Sequence, residues 1–293
     1  MANLYRYPAA NSSVQSVLWE CSTIALCRFR CPPDHVRWKQ ENVIRDGFNV
    51  GFPRATVKIA QSGHQTFIVD PNRTVFYNQG VAYRRSQISK NGDSANVMLF
   101  DAQTIADAIA PFDSQVLGRP ERLFAFTSGP LTIDAYRAQR MLFACVSAMD
   151  DFEAEERALR ILGRVVEDVF RERGCQSTDR KRSRISLWRE QIDAAKHLMG
   201  RRFASRLLLP ELAAEAGTSI FHLCRIFQRL EGMTVHRYLT RLRIRFAVDL
   251  LLDRQLPAAN VALSTGFCSQ SHLIRAFRRE FGLTPRRMCN AAG

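Results

Sequence analysis

The spacing of apolar and polar positions changes character along the chain. Between residue 14 and about residue 100, short β-rich runs recur: Ser22–Leu26, Thr56–Ala60, Thr66–Val69, Thr74–Tyr77 and Asn96–Phe100. Turn-forming pairs and triplets separate them: Ser62-Gly63, Asp70-Pro71-Asn72, Asn78-Gln79-Gly80 and Asn91-Gly92-Asp93. Several short strands at this spacing predict a small barrel or sandwich. From Asp101 the period becomes helical. One helix is expected from about Ile133 to Met149, with Ala135, Ala138, Leu142, Cys145 and Met149 on one stripe. A second is expected from Phe152 to about Phe170, with Phe152, Leu159, Leu162, Val166 and Val169 at coiled-coil-like spacing interrupted by Glu155. These helices suit packing on the strands and packing against a second copy equally well.

Residues 174–184, from Gly174 to Arg184, are polar and charged without apolar periodicity, and predict an exposed linker. The remainder, 185–293, is rich in Leu, Arg and Ala and strongly helical. The expected organisation is therefore a sensor or dimerisation domain over 1–173, β-rich at 14–100 and helical at 101–173, then the linker, then an all-α domain.

The all-α part contains an internal repeat. Leu212–Arg229 and Val261–Arg279 both contain His-Leu-x-Arg-x-Phe-x-Arg, and each then reaches a glycine and a threonine, Gly232 and Thr234 in one and Gly282 and Thr284 in the other. Each copy predicts helix, tight turn, helix. Pro210 suits the start of a first helix. Gly217 and Gly266 suit a turn that needs positive φ. Ser219 and Ser269 suit the N-caps of the second helices. Leu223 with Phe227, and Leu273 with Phe277, stand four apart and point inward, leaving Arg225 and Arg275 on other faces. A helix so equipped fits the DNA major groove, where arginine reaches guanine O6 and N7 or a phosphate. Val235 to about Leu252 is expected as a long spacer helix between the two copies.

Charge agrees with a polyanion partner. The formal net charge is +14. Residues 1–174 hold 21 Lys+Arg and 19 Asp+Glu, whereas 175–293 hold 21 and 9, so +12 of the total lies in the last part. Nucleic acid is the first partner class and an anionic membrane the second. The N-terminus, MANLYRYPAANSS, has no secretory pattern, and no apolar run approaches membrane-helix length. A soluble cytoplasmic protein with no membrane partner is expected. The eight cysteines include no CxxC pair, which excludes a zinc ribbon or thioredoxin-type motif.

The last hundred residues resemble the DNA-binding domain of the AraC/XylS family of transcription regulators. The resemblance is carried above all by Ala262 through Pro285: Thr265-Gly266-Phe267, Ser269-Gln270-Ser271-His272-Leu273, Arg275-Ala276-Phe277-Arg278-Arg279 and Phe281-Gly282-Leu283-Thr284-Pro285. It implies seven helices, with recognition helices near 219–229 and 269–280. By that resemblance Ser219, Phe221, His222, Cys224 and Arg225 face DNA in the first, and Ser269, Gln270, Ser271 and Arg275 in the second. Cys224 departs from the longer polar side chains common at its position, which weakens base reading there. Phe221 equally fits a core position, and His222 and His272 equally fit capping or packing. Arg278, Arg279, Arg286 and Arg287 are assigned to phosphate on charge and position alone.

The expected function is a sequence-specific regulator of double-stranded promoter DNA, an activator and homodimer by resemblance, with RNA polymerase as a further partner. The β-rich half looks like the cupin-like sensor of such regulators and implies a small-molecule effector. The overall fold class is thus α+β: a cupin-like barrel with a helical dimerisation segment, then two helix-turn-helix units. Two alternatives stay open. The N-terminal half serves only to oligomerise or to bind a protein partner, or Cys21, Cys27, Cys31 and His35 form a metal or thiol switch. No cofactor is implied, the His-x-His pattern of metal-binding cupins is absent, and no catalytic motif is present. A repair-enzyme fusion would need a reactive cysteine in a recognisable motif, so an enzyme is not expected.

Overall fold

The computed structural model describes residues 11–12, 14–88, 90–174, 182–253 and 256–290, and the chain divides into two compact units on either side of Gly174. The first unit holds β1 (Asn11–Ser12), β2 (Gln15–Glu20), β3 (Ile24–Cys31), β4 (Asn42–Val43), β5 (Phe48–Pro53), β6 (Val57–Gln61), β7 (Phe67–Val69), β8 (Arg73–Tyr77), β9 (Ala82–Gln87), β10 (Asp93–Phe100) and β11 (Ser128–Pro130). Its helices are α1 (Ala102–Ile109), α2 (Ile133–Cys145) and α3 (Asp151–Gly174).

The strands make a seven-stranded antiparallel sheet, ordered β1-β2-β3-β10-β5-β8-β11, and a four-stranded sheet, ordered β4-β9-β6-β7. Among the described residues no ladder joins the two, so the unit is an open pair of sheets and not a closed barrel. The large sheet has two buried faces. On one, Leu26, Val50, Phe76 and Met98 are covered from the helical side, where Asn96 Nδ2 donates to Gln139 Oε1 of α2 at 3.0 Å and Phe76 packs on Phe124. On the other, Val75 packs with Val57, Ile59 and Val69 of the small sheet. Strand alternation explains the division, because neighbours in sequence point to opposite faces.

The predicted turns have side-chain anchors. The Asp70 carboxylate accepts from the Asn72 amide at 2.8 Å, and the Asn78 side chain both donates to Phe124 O and accepts from Phe124 N, each at 2.9 Å. The predicted helical stripes need correction. In α2 the buried side chains are Ala135, Tyr136, Gln139, Arg140, Leu142 and Phe143, while Ala138 is exposed and Cys145 and Met149 only half-buried. Gln139 and Arg140 are polar groups with interior roles, so hydrophobicity alone rotates the apparent face. In α3 the buried row is Ala154, Ala158, Ile161, Leu162, Val165, Val166 and Val169, together with Asp168. Phe152 is 78% exposed and Leu159 41%, so the first half of the expected row lies off the packed face.

Residues 175–181 of the expected linker lie outside the described residues, and 182–184 belong to the next helix. The second unit comprises α4 (Arg182–Arg202), α5 (Leu209–Glu215), α6 (Ile220–Glu231), α7 (Val235–Leu252), α8 (Ala258–Ser264), α9 (Gln270–Phe281) and α10 (Pro285–Asn290). It is built twice over. A long helix, α4, packs on α5 and α6, and a second long helix, α7, packs on α8 and α9. Leu223 and Phe227 of α6, and Leu273 and Phe277 of α9, are all fully buried at four-residue spacing. Among the described residues no helix is long and apolar enough to cross a membrane.

Candidate nucleic-acid interface

The two short helix pairs share most features of their joints, although the second turn carries one more residue, Cys268, ahead of its serine cap. At the turn, Gly217 has φ +58° and Gly266 φ +81°. Thr218 N donates to Ala213 O at 3.0 Å, and Phe267 N to Ala262 O at 2.9 Å. At Gly266 the constraint is double, since a Cβ would also stand 2.8 Å from Ala204 O. Ser219 Oγ accepts from His222 N at 3.2 Å and Ser269 Oγ from His272 N at 3.1 Å, capping α6 and α9. Both helices end in a left-handed glycine, Gly232 at φ +66° and Gly282 at φ +70°. The following helices start alike: Thr234 Oγ1 accepts from Arg237 N and Thr284 Oγ1 from Arg287 N.

Each second helix is also tied to the long helix before it by an ion pair near its C-terminal end. Lys196 of α4 meets Glu231 at 2.6 Å, with 4% and 10% of the side chains exposed. Arg241 of α7 meets Glu280. Such pairs fix orientation more than they add stability, since desolvation offsets their attraction. Other cations of α7 also serve the interior: Arg245 is buried, and Arg243 donates to Phe203 O at 2.7 Å and Ser205 O at 2.8 Å. Much of the positive charge on the spacer helix therefore holds the unit together.

With Leu273 and Phe277 inward, α9 exposes Ser269, Gln270, Ser271, Arg275, Arg278 and Arg279. Arg286 and Arg287 are exposed on α10. On α6, Ser219 and Arg225 are exposed, but the other candidates differ. Cys224 is half-buried and packs on the core formed by α4, α5, α6 and the first half of α7. His222 is half-buried with its ring against the Trp188 ring, at 6.1 Å between centroids. Its Nδ1 lies 3.2 Å from Arg225 Nη2; because guanidinium only donates, Nδ1 is the acceptor there. The Phe221 side chain lies outside the described residues. Trp188, absent from the sequence-based candidates, supports His222 and also lies 5.4 Å from the Arg229 guanidinium. No local motif marks it, because it comes from α4, upstream of the repeat.

The cysteine candidates are not brought together. Cys27 packs with Ala25 and Leu99, and Cys31 with Val14 and Phe29. Cys21 precedes β3 beside Thr23, and His35 Nδ1 accepts from Arg37 N at 3.2 Å. Burial pushes the Cys31 thiol up, opposed by the Arg85 charge. Among the described residues no group of three His, Cys, Asp or Glu side chains is placed to hold a metal ion. The even spacing of residues 21, 27 and 31 suggested one strand face, but Cys21 is outside the strand that carries the other two.

A family model described as a helix-turn-helix domain matches residues 212–291. The HTH-type transcriptional regulator ExsA of Pseudomonas aeruginosa is 24% identical over 231 residues, covering 76% of this chain and 78% of that protein. The HTH-type transcriptional activator RhaS of Escherichia fergusonii is 31% identical over 113 residues, covering 39% of this chain and 37% of that protein. This chain thus spans little more than a third of RhaS. The last third of the chain is thus a helix-turn-helix domain, in agreement with its resemblance to the AraC/XylS transcription regulators. A solved transcriptional regulator from Chromobacterium violaceum, described as an AraC-type DNA-binding domain protein, is 26% identical over 35% of this chain and 92% of its own, at TM-score 0.34. The family match begins at Leu212, inside α5, and takes in the rest of the first short helix pair and all of the second. The long helix α4 and the whole sheet-bearing unit lie before it.

Proposed function

We propose that this regulator reads promoter DNA with two helix-turn-helix units, α5–α6 and α8–α9, whose second helices enter successive major grooves about one helical turn apart. The repetition of caps, turn glycines and buried Leu-Phe pairs supports this most directly, because it presents Arg225 and Arg275 at equivalent positions of equivalent helices. Arg275 reads a base edge. Arg278, Arg279, Arg286 and Arg287 contact phosphates, which set affinity and register without sequence information. His222 acts through Arg225, and Cys224 contributes to packing more than to reading.

The sheet-bearing unit is the cupin-like sensor and dimerisation domain in this proposal, and the regulator works in the cytoplasm as a homodimer. Activation, with RNA polymerase as a further partner, follows the resemblance to the AraC/XylS family, and RhaS is itself named an activator. A cavity of about 450 Å³ between the sheets favours an effector, since small-molecule sites commonly span ~300–1,000 Å³. A second function for the unit, association alone, is favoured by the exposed Phe152 and Leu159 on α3.

The test is selection from a randomised DNA pool by the full-length protein, repeated with Arg275→Ala. Enrichment of two boxes about one turn apart is expected, with the variant relaxed at one base position. Failure of the unaltered protein to enrich any motif overturns the proposal.

A further inference from the structure

The cavity in the first unit has a polar end whose chemistry is legible. Arg85, on β9 of the small sheet, reaches across to Asp93 on β10 of the large sheet, with Nη1 2.6 Å from Oδ2. The guanidinium also stacks 4.4 Å from the Phe29 ring centroid and 5.2 Å from that of Trp38. Arg85 is only 4% exposed, it lines the cavity, and its Nε and Nη2 are buried without a hydrogen-bond partner among the described residues. A buried donor left unmade is costly, so two on one side chain of the cavity lining call for an acceptor that the described residues do not supply. The thiol of Cys31 beside the guanidinium is too weak an acceptor to meet that demand.

Two further features narrow the class of occupant. Asn49 also lines the cavity, and its buried Oδ1 has no hydrogen-bond partner among the described residues, so an occupant's N–H or O–H has a place to donate. The body of the cavity is walled by Val57, Ile59, Val69, Val75, Val97 and Leu99. Its charges balance: Arg37, Arg45 and Arg85 against Glu41, Asp46 and Asp93. An anionic occupant at Arg85 would meet the Asp93 carboxylate, already held at 2.6 Å, and a cation would meet the guanidinium.

We infer that this cavity binds an uncharged small molecule, an apolar body bearing a carbonyl or hydroxyl oxygen that accepts from Arg85 Nε and Nη2. The inference rests on the effector reading of the first unit and gives it a ligand class. Tyr77 and Tyr83, whose rings lie 4.9 Å apart, line the same cavity.

The experiment is calorimetric titration of the full-length protein with three matched probes: benzophenone, which has the ketone; diphenylmethane, which lacks it; and para-benzoylbenzoate, which adds a negative charge. Benzophenone is expected to bind one per chain, with the other two weaker by about tenfold or more, since each leaves a buried polar group unsatisfied or adds an unpaired charge. Arg85→Met combined with Asp93→Asn removes the pair without stranding a charge, and should make benzophenone and diphenylmethane equal. Gly51→Leu, whose Cβ meets only ordinary contacts near Val75, should fill the cavity and abolish both. Equal binding of the first two probes to the unaltered protein, tighter binding of para-benzoylbenzoate, or no binding of benzophenone overturns the inference. Tighter binding of the carboxylate would still leave the effector reading standing with a different ligand class. DNA selection by the same protein without probe scores the regulator reading separately.

Discussion

The two helix pairs of the second unit have the same skeleton and unequal surfaces. Caps, turn glycines and buried apolar pairs coincide between α5–α6 and α8–α9. Their outward faces do not. On α9 the row Ser271, Arg275, Arg278 and Arg279 is exposed. On α6 Cys224 turns toward the core, and Arg225 is held by His222, itself leaning on Trp188. Repetition of a fold therefore does not imply repetition of its work. In the proposed reading, the second pair carries most of the grip on DNA and the first refines or extends it.

The largest effect expected falls on the shared skeleton. Phe227→Ala and Phe277→Ala each remove a fully buried ring from the same place in the two halves, at roughly 3–5 kcal/mol of stability. Denaturant unfolding of the full-length protein measures both. Similar losses support structural equivalence; a loss confined to one variant breaks it.

The comparison sharpens at the arginines. Arg275→Ala should cost roughly 1–3 kcal/mol of specific binding and relax one base position. Arg225→Ala should cost less, because its guanidinium is already engaged with His222. Titrations against the selected site and against single-base variants distinguish the two. Uniform weakening by Arg275→Ala across all sequences would reassign it to phosphate. Next in size is the double variant Arg278→Gln, Arg279→Gln, which should lower the slope of log affinity against log salt by about 2 while leaving base preference intact. An unchanged slope would remove both from the phosphate contacts.

How much of this was visible beforehand differs between the two units for a physical reason. The helix pairs were legible because their joints use residues with narrow conformational roles: serine at a cap, glycine at positive φ. The regular apolar spacing at Leu223-Phe227 and Leu273-Phe277 marks the inward faces as well. The sheet-bearing unit was harder. β5 carries Gly51 and Pro53, which weaken a strand signal, yet it is an interior strand of the large sheet, between β10 and β8. β9 reads Ala-Tyr-Arg-Arg-Ser-Gln, mostly polar, because Arg85 points inward to an ion pair instead of an apolar neighbour. Buried polar groups such as Gln139, Arg140 and Asp168 likewise mislead any count of hydrophobic positions. The supporting role of Trp188 and the turn of Cys224 toward the core depend on contacts from another helix, which local spacing does not encode.

The smallest effect tests the skeleton at its finest grain. Ser219→Ala and Ser269→Ala each remove one side-chain acceptor from a helix N-terminus, at about 1 kcal/mol. The two bonds they break are alike in length, 3.2 and 3.1 Å, and each serves the amide of the third residue after the turn, His222 or His272. The caps should therefore be worth nearly the same, and each loss should appear as faster hydrogen exchange at the first amides of its own helix only. DNA affinity should nevertheless respond unequally. Fraying the start of α9 loosens Gln270 and Ser271 in front of Arg275, whereas fraying α6 loosens a surface with fewer free polar groups. Equal exchange with unequal binding would mean that the two pairs share one architecture and divide the recognition between them. Equal exchange with equal binding would mean that the first helix reads DNA as fully as the second, and the contrast in their surfaces would lose its functional meaning.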